Sequence, residues 1–268
     1  MRTPLTAPTT SSRRPAHSAP VPAVNAPGTG VIYSWDTSIG VDGPGTRFVV
    51  FTSGCSLRCV FCDNPESWLR SGGRTVTVAE VMAELARYER FIAVAGGGLT
   101  VTGGEALSQP GFVGELMHAA KARGIHTALD TSGYLGDDVG DELLMDVDLV
   151  LLDIKSWDPS TYHRVTRREL EPTLRFARRL AALRRPVWVR FVLVPGWTDA
   201  VANVAGVAAF AAGLGNVERV DVLPFHRMAV DKYRALGIVY PTAGIEPPSP
   251  ELLARVQQQF RDHGLETY

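Results

Sequence analysis

Hydrophobic residues alternate from position 31 to the C-terminus between short β-branched runs and longer segments with apolar residues at helical spacing. Near-continuous apolar runs are typical of strands buried on both faces of a parallel sheet, and the amphipathic segments are typical of the helices that cover it. The pattern therefore predicts an α/β fold of βαβ units. The predicted strands are residues 48–52, 99–102, 126–129, 149–154, 187–194 and 217–223.

Helices are predicted between and after these strands, and local signals mark their ends. Pro172 suits the first position of a helix, and Gly124 suits a C-terminal cap. The number of units approaches a full (β/α)8 barrel but falls short of it. The predicted helices are residues 78–90, 111–122, 141–145, 172–183, 200–212 and 250–263.

Residues 1–30 differ from the rest, because they are rich in Pro, Ala, Ser and Thr and contain no Asp or Glu. We predict a disordered tail there and a single domain over residues 31–268. Arg13 and Arg14 resemble a twin-arginine signal, but no apolar segment follows them. An organellar transit peptide is the alternative interpretation of this stretch.

The composition is that of an ordinary globular protein, with 268 residues, 45 % hydrophobic and 21 % charged. The net charge of −1 gives no general argument for nucleic acid as a partner. No apolar run approaches the length of a membrane span, so no membrane association is expected. The low cysteine content fits a reducing compartment and predicts a cytoplasmic protein.

All three cysteines of the chain, Cys55, Cys59 and Cys62, lie in one C-x3-C-x2-C loop. A structural zinc site is closed by four protein ligands, whereas three thiolates suit an iron–sulfur cluster with one iron left open. Zinc with Asp63 as the fourth ligand remains an alternative. The odd number of cysteines disfavours disulfides, and the polar loop disfavours plain core packing.

Polar residues follow the predicted strands at the points where each one ends. In parallel α/β barrels the active site is built at the carboxyl ends of the strands, so these residues should converge on the cysteine loop. Each also has a simpler interpretation: a glycine turn, a helix cap, a surface ion pair or a loop histidine. The residues are Gly103, Gly104, Glu105, Asp130, Asp153, Ile154, Lys155 and His226, together with Arg190, which lies within its predicted strand.

An open iron needs a chelator, and an amino acid offers an amine and a carboxylate. Backbone carbonyls near Gly104 could accept from the amine, and Lys155 could face the carboxylate. Phe61 and His226 could flank a nucleoside. S-adenosylmethionine carries all three parts, and its cleavage by one electron would release a 5′-deoxyadenosyl radical.

The motifs together resemble the radical S-adenosylmethionine superfamily and, within it, the family of pyruvate formate-lyase activating enzymes. The resemblance runs in order from about residue 31 to the C-terminus. Besides the cysteine loop, the matching motifs are Val-Asp-Gly-Pro-Gly-Thr-Arg-Phe at 41–48, Thr-Gly-Gly-Glu at 102–105, Asp-Thr-Ser-Gly at 130–133, Asp-Ile-Lys at 153–155, Val-Pro-Gly-Trp at 194–197 and Leu-Pro-Phe-His at 223–226.

The resemblance implies a role for each of these residues. The three cysteines would hold a 4Fe–4S cluster, and Gly103, Gly104 and Glu105 would lie at the methionine amine. A monovalent cation near the carboxylate, between Asp130 and Asp153, is a further expectation. Asp153, Ile154 and Lys155 would lie beside the cofactor, and Phe61, Asp63 and His226 would contact its adenosyl part.

The resemblance also implies an α/β fold with a partial (β/α)6 TIM-like barrel, open on one side. The activity implied is removal of a glycine α-hydrogen from pyruvate formate-lyase (formate C-acetyltransferase) under anaerobic conditions, with reduced flavodoxin or ferredoxin as the electron donor. We expect a monomer. The alternatives are activation of another glycyl-radical enzyme, a radical enzyme for a small molecule, and a non-catalytic zinc module.

Two residues depart from the family pattern, and one surface is predicted besides the site. Asp63 stands where the family usually has His, and Arg227 stands where an acidic residue is common. A set of arginines could form a basic surface for an acidic electron donor, although a solvated helix face is an equal alternative. They are Arg164, Arg167, Arg168, Arg175, Arg178 and Arg179.

Overall fold

The computed structural model describes residues 26–268, in which the strands form one eight-stranded sheet. In chain order the strands are β1 (Thr29–Ile39), β2 (Thr46–Thr52), β3 (Arg74–Thr77), β4 (Gly98–Gly103), β5 (His126–Thr131), β6 (Leu149–Asp153), β7 (Val187–Leu193) and β8 (Val217–Pro224). The predicted tail lies outside the described residues up to position 25. Thr29 and Gly30, at its end, already belong to β1 and pair with β3.

The sheet order is β3-β1-β2-β4-β5-β6-β7-β8. Six neighbouring strands are parallel to one another: β2, β4, β5, β6, β7 and β8. They are the six strands that the hydrophobic pattern predicted. β1 pairs antiparallel with both β2 and β3 at one side. The sheet is open between its edges, β3 and β8, which confirms the partial (β/α)6 arrangement.

The helices surround this sheet, and one predicted helix is divided in two. A capping box between Thr77 and Glu80 begins the first part, which ends at Ala86; the second part begins at Glu89. The α-helices are α1 (Val78–Ala86), α2 (Glu89–Val94), α3 (Pro110–Lys121), α4 (Asp141–Met145), α5 (Pro159–Thr166), α6 (Glu171–Ala182), α7 (Val201–Leu214), α8 (Val230–Ala235) and α9 (Pro250–Arg261). β1, β3, α5 and α8 were not predicted.

The strands present different side chains to their two faces, and this alternation positions the site. Along β7, Val189 and Phe191 are fully buried in the main core, whereas Arg190 between them points to the other face, inside the barrel. Successive side chains of a strand point to opposite faces, so a charge can lie in the middle of an apolar run. No helix of residues 26–268 is long and apolar enough to cross a membrane.

Candidate active site

A cavity of about 450 Å³ lies at the carboxyl ends of the parallel strands, beside the cysteine loop. With one exception, the structure brings every predicted site residue to its wall, as the strand-end argument required. These residues are Cys55, Cys59, Phe61, Cys62, Asp63, Gly103, Gly104, Glu105, Asp130, Asp153, Lys155 and His226.

Ile154 is the exception, because its side chain is fully buried in the main hydrophobic core. Its backbone N–H donates to the oxygen of Arg190 at 3.1 Å, which joins the end of β6 to β7. Asp153 and Lys155, on either side of it, both reach the cavity. The structure therefore places only the backbone of Ile154 near the site.

The cysteine loop is fastened through its backbone. The N–H of Cys55 donates to the oxygen of Trp68 at 3.0 Å. On another side, the N–H groups of Arg58 and Val60 donate to the carbonyls of Thr166 and Val165, each at 2.9 Å. The last turn of α5, a helix that the sequence did not predict, thus forms part of the support of the loop.

The three cysteines are free and partly buried. Burial raises the pKa of Cys59 to about 12 and also raises the pKa values of Cys55 and Cys62, so the thiols are neutral until a metal displaces their protons. Within residues 26–268, no three His, Cys, Asp or Glu side chains are grouped to hold a single metal ion. Three thiolates from one loop suit an iron–sulfur cluster with one iron left open, whereas structural zinc takes four protein ligands.

Trp68 contacts the cysteine loop with its side chain as well as its backbone. Its indole N–H donates to the sulfur of Cys62, which opposes the rise in the Cys62 pKa that burial causes. The indole is packed edge-on against Tyr233, with 5.9 Å between the ring centroids, and Arg58 lies over it at 5.0 Å. These contacts fix the ring orientation that the hydrogen bond needs. Trp68 was not among the predicted site residues.

The glycine turn after β4 lies directly against the chain before and within the cysteine loop. Gly103 has a φ of +120°, and a Cβ on it would lie 2.2 Å from the nitrogen of Thr52. A Cβ on Gly104 would lie 2.6 Å from the oxygen of Gly54. Only glycine fits both positions, so the turn presents backbone groups rather than side chains to the cavity.

Glu105 has a carboxylate that is nearly fully buried and already occupied. It accepts hydrogen bonds from the hydroxyl of Thr131 at 2.6 Å, from the N–H of Ser132 at 3.1 Å and from the N–H of Leu107 at 3.1 Å. The side chain therefore holds the loop after β5 in place. A ligand in the cavity would therefore meet the backbone of Glu105 and not its carboxylate.

Asp130 and Arg190 form an ion pair of 2.8 Å inside the barrel, with both side chains almost inaccessible to solvent. The same carboxylate oxygen, Oδ2, accepts from the hydroxyl of Thr102 at 2.7 Å. The other oxygen, Oδ1, is buried and has no partner among the described residues. Burial raises the pKa of Asp130 to about 6, against the effect of Arg190.

Thr102 was not among the residues expected to converge on the cysteine loop, whereas Arg190 was; both line the cavity. The available signal for Arg190 was a charged residue in the middle of an otherwise apolar strand. Thr102 offered no comparable signal, because threonine is common in strands.

Asp153 and Lys155 form a second ion pair, with 2.7 Å between Oδ2 and Nζ. The Lys155 ammonium lies 5.8 Å from the ring centroid of Phe61. Burial acts to lower the pKa of Lys155, but Asp153 and the Cys59 side chain outweigh it and leave the pKa above its usual value. Lys155 therefore stays protonated in the cavity, where it is paired with Asp153.

Asp63 and His226 meet at the mouth of the cavity, where Oδ2 and Nε2 lie 3.5 Å apart and both side chains are about half exposed. Burial raises the pKa of Asp63, and His226 works against that rise. The residue that departs from the family pattern is thus paired with the predicted histidine of a different strand end.

Comparisons with known proteins agree with this geometry. Residues 49–205 match the family model described as the Radical SAM superfamily. The pyruvate formate-lyase 1-activating enzyme of Escherichia coli is 40 % identical over 237 residues, which cover 88 % of this chain and 96 % of that protein. The pyruvate formate-lyase-activating enzyme of Staphylococcus epidermidis is 38 % identical over 242 residues, with the same coverage.

Solved structures show the same fold. A domain of the pyruvate-formate lyase-activating enzyme from Bacteroides vulgatus aligns with a TM-score of 0.54 and 29 % identity, over 64 % of this chain and 98 % of that chain. Streptococcus suis SuiB bound to S-adenosylmethionine aligns with a TM-score of 0.62 over 85 % of this chain and 50 % of that chain. At 14 % identity, the SuiB match is evidence for the fold alone.

Proposed function

Because the chain belongs to the radical S-adenosylmethionine superfamily and, within it, to the pyruvate formate-lyase activating enzymes, we propose that it activates pyruvate formate-lyase. The reaction is reductive cleavage of S-adenosylmethionine and removal of a hydrogen atom from a glycine α-carbon of the partner. The observation that carries the proposal is the placement of the three thiols, the glycine turn and two buried ion pairs around one cavity.

The residues present fit a 4Fe–4S cluster, because three thiols from one loop line the same cavity and can hold three of its four irons. Cys55, Cys59 and Cys62 would hold it. When bound, the cluster and S-adenosylmethionine supply the electron and the carbon radical that the reaction needs. The chain itself supplies position, charge and exclusion of water.

We propose binding roles for the remaining residues, supported by their positions around the cavity. The backbone of Gly103 and Gly104, both of which line the cavity, accepts from the cofactor amine. Lys155, held by Asp153, faces the cofactor carboxylate. Phe61, together with Asp63 and His226 at the mouth, flanks the adenosyl part, and the backbone between Asp153 and Lys155 lies beside it.

We further propose that a monovalent cation binds between Asp130 and Asp153. The support is the unpartnered Asp130 Oδ1, a buried oxygen acceptor that needs a partner. Carboxylate oxygens are suitable ligands for hard cations. The cation would join the protein carboxylates to the carboxylate of the cofactor and so fix its methionine end.

The open side of the barrel suits a substrate that enters as a loop of a large protein. We propose that the protein acts as a monomer and that residues 31–268 form its catalytic domain, in which the ends of several strands line the cavity. The electron would come from reduced flavodoxin or ferredoxin. The three thiols need a reducing environment, which favours a cytoplasmic location.

The test uses the full chain, reconstituted anaerobically with iron and sulfide and supplied with reductant, S-adenosylmethionine and pyruvate formate-lyase. We expect 5′-deoxyadenosine by chromatography and a glycyl radical on the partner by electron paramagnetic resonance. Cys59→Ala should abolish both signals. A cluster-loaded enzyme that does not cleave S-adenosylmethionine would overturn the proposal.

Two other outcomes would redirect the proposal. Cleavage without a radical on pyruvate formate-lyase would show that the substrate is another glycyl-radical enzyme or a small molecule. One zinc ion per chain with no iron or sulfide after anaerobic purification would favour the zinc module instead. Metal analysis separates that alternative before any activity is measured.

A further inference from the structure

The arginines that were predicted to form one basic surface separate into two groups. Three of them lie on α6, and each pairs with a carboxylate, so their side of the protein has little net charge. The pairs are Arg175 with Asp137 at 2.5 Å, Arg178 with Glu171 at 2.9 Å, and Arg179 with Asp141.

The other three, Arg164, Arg167 and Arg168, are exposed in and after the last turn of α5, and we name them the α5 arginine cluster. None of them forms an ion pair with a carboxylate of residues 26–268. Arg164 instead stacks on Trp197, with its guanidinium carbon 4.9 Å from the ring centroid. The carboxylate of Glu169, the residue after Arg168, lies 3.2 Å from Nδ1 of His163 and not at an arginine, so three guanidinium groups stand together without an ion pair among the described residues.

The α5 arginine cluster lies directly against the cysteine loop. The Nε of Arg168 donates to the oxygen of Ser56, the residue after Cys55, at 2.8 Å. A fourth guanidinium, that of Arg58 within the loop, donates to the oxygen of Cys55 at 2.7 Å. The guanidinium groups of Arg168 and Arg58 thus contact the backbone of the same loop that carries the cysteines.

The cluster of arginines lies on the side of the loop that faces away from the cavity. Cys59 and Phe61 line the cavity, whereas Arg58 and Val60, which alternate with them, bond to the end of α5 and do not line it. A partner on α5 would therefore leave the cavity free for S-adenosylmethionine and for the glycine of the substrate.

The electron has to come from outside the chain. The sequence contains only three cysteines, all in this loop, so no second cysteine-bound cluster can relay an electron. A protein that carries one electron at a time would have to approach the loop closely. Of the two groups of arginines, only the α5 arginine cluster combines unneutralised charge with contact to the loop.

We propose that the α5 arginine cluster is the docking surface of an acidic one-electron carrier protein, a role that rests on the proposed function. Complementary charge steers such a partner, raises its association rate and orients it toward the loop. Because the surface charges are exposed, salt screens the attraction.

The test compares two double variants that remove the same charge. Arg164→Gln with Arg167→Gln removes two charges of the cluster and keeps Arg168, which supports the loop. Arg175→Gln with Arg178→Gln is the matched control on α6. The probe is an acidic flavodoxin, whose affinity for the cluster-loaded enzyme is measured by flavin fluorescence at low and high salt. Cleavage of S-adenosylmethionine is then compared with reduced flavodoxin and with dithionite.

We expect the α5 double variant to bind flavodoxin about tenfold more weakly at low salt, with the difference lost at about 0.5 M salt, and to cleave normally with dithionite. The α6 control should bind as the wild type does. Wild-type affinity in the α5 variant, or an equal loss in the control, would overturn the docking surface. Absence of cleavage with either reductant would instead count against the proposed function, while the binding result would still decide the docking surface.

Discussion

The ammonium nitrogen of Lys232 lies 2.8 Å from the backbone oxygen of Asp63, the residue that directly follows Cys62. It lies at the same distance from Oδ1 of Asn64 and from Oε1 of Glu66. Lys232 belongs to α8, beyond the last strand of the barrel. One side chain thus joins the C-terminal part of the domain to the cysteine loop.

Lys232→Met should loosen this loop, because all three acceptors lose their shared donor and the carboxylate of Glu66 loses its counter-charge. We expect the free energy of unfolding to fall by about 1–3 kcal/mol and iron to be lost faster to a chelator. Arg234→Met on the same helix is the control, since the partner of Arg234 among residues 26–268 is the exposed Asp231. Equal rates of iron release from the two variants would contradict this function of Lys232.

Trp68→Phe keeps an aromatic ring but removes the N–H that donates to the sulfur of Cys62. Hydrogen bonds to cluster sulfurs influence the reduction potential, and a donor stabilises the more negative, reduced state. We therefore expect a lower potential in a redox titration followed by electron paramagnetic resonance. Trp157→Phe, whose ring packs on Phe210, is the control and should keep the wild-type potential.

Asp130→Asn tests the proposed monovalent cation. The amide keeps the size of the side chain but removes the negative charge beside the unpartnered oxygen. We expect weaker binding of S-adenosylmethionine and loss of the gain in affinity that potassium gives, both measured by titration calorimetry. Asp221→Asn, which alters another ion pair of the same sheet, should keep the response to potassium. An unchanged response in Asp130→Asn would remove Asp130 from the cation site.

His126 should make stability depend on pH. Arg47 can only donate, so the Nδ1 of His126, at 3.1 Å from Nη1, is the acceptor and the ring is neutral. Burial and Arg47 lower the pKa of His126 below the value of about 6.5 that it has in the unfolded chain. The unfolded state then binds more protons as the pH falls through about 6.5, and folding loses stability.

The measurement is urea unfolding at about pH 8 and about pH 6, on either side of the unfolded pKa. His126→Asn keeps an acceptor for Arg47 but cannot take up a proton, so it should lose less stability than the wild type over this interval. His118→Asn, at an exposed histidine, is the control. The same pH dependence in His126→Asn and the wild type would show that His126 does not contribute.

The strands that carry the site could be predicted because most of their residues are apolar or β-branched, although Arg190 interrupts β7 and charged residues interrupt β8. β1 and β3 could not, since β1 buries only three residues near its start and β3 buries only one, so neither contains a long apolar run. α5 was missed for a related reason, because it is short and buries only Tyr162, Val165 and Thr166. Its importance lies in hydrogen bonds to a loop about one hundred residues earlier, which no local pattern shows.

Within the site, the sequence indicates which residues reach the barrel end but not which atoms are free. The alternation of a strand explains why Ile154 turns into the core while Asp153 and Lys155 reach the cavity. The carboxylate of Glu105 is occupied by Thr131 and Ser132, which follow it by about twenty-six residues. That occupation depends on the pairing of separate strand ends, so only the folded structure shows it.

The close approach of Gly104 to Gly54 also limits what mutagenesis can reveal. A Gly104→Ala enzyme without activity would be ambiguous, because the added methyl group displaces the cysteine loop before it meets any cofactor. The contact between this turn and the amine has to be examined from the ligand side, with an S-adenosylmethionine analogue that lacks the amine. Where a protein recognises a ligand through its backbone, the informative change is made in the ligand, because a side-chain substitution does not remove the backbone group.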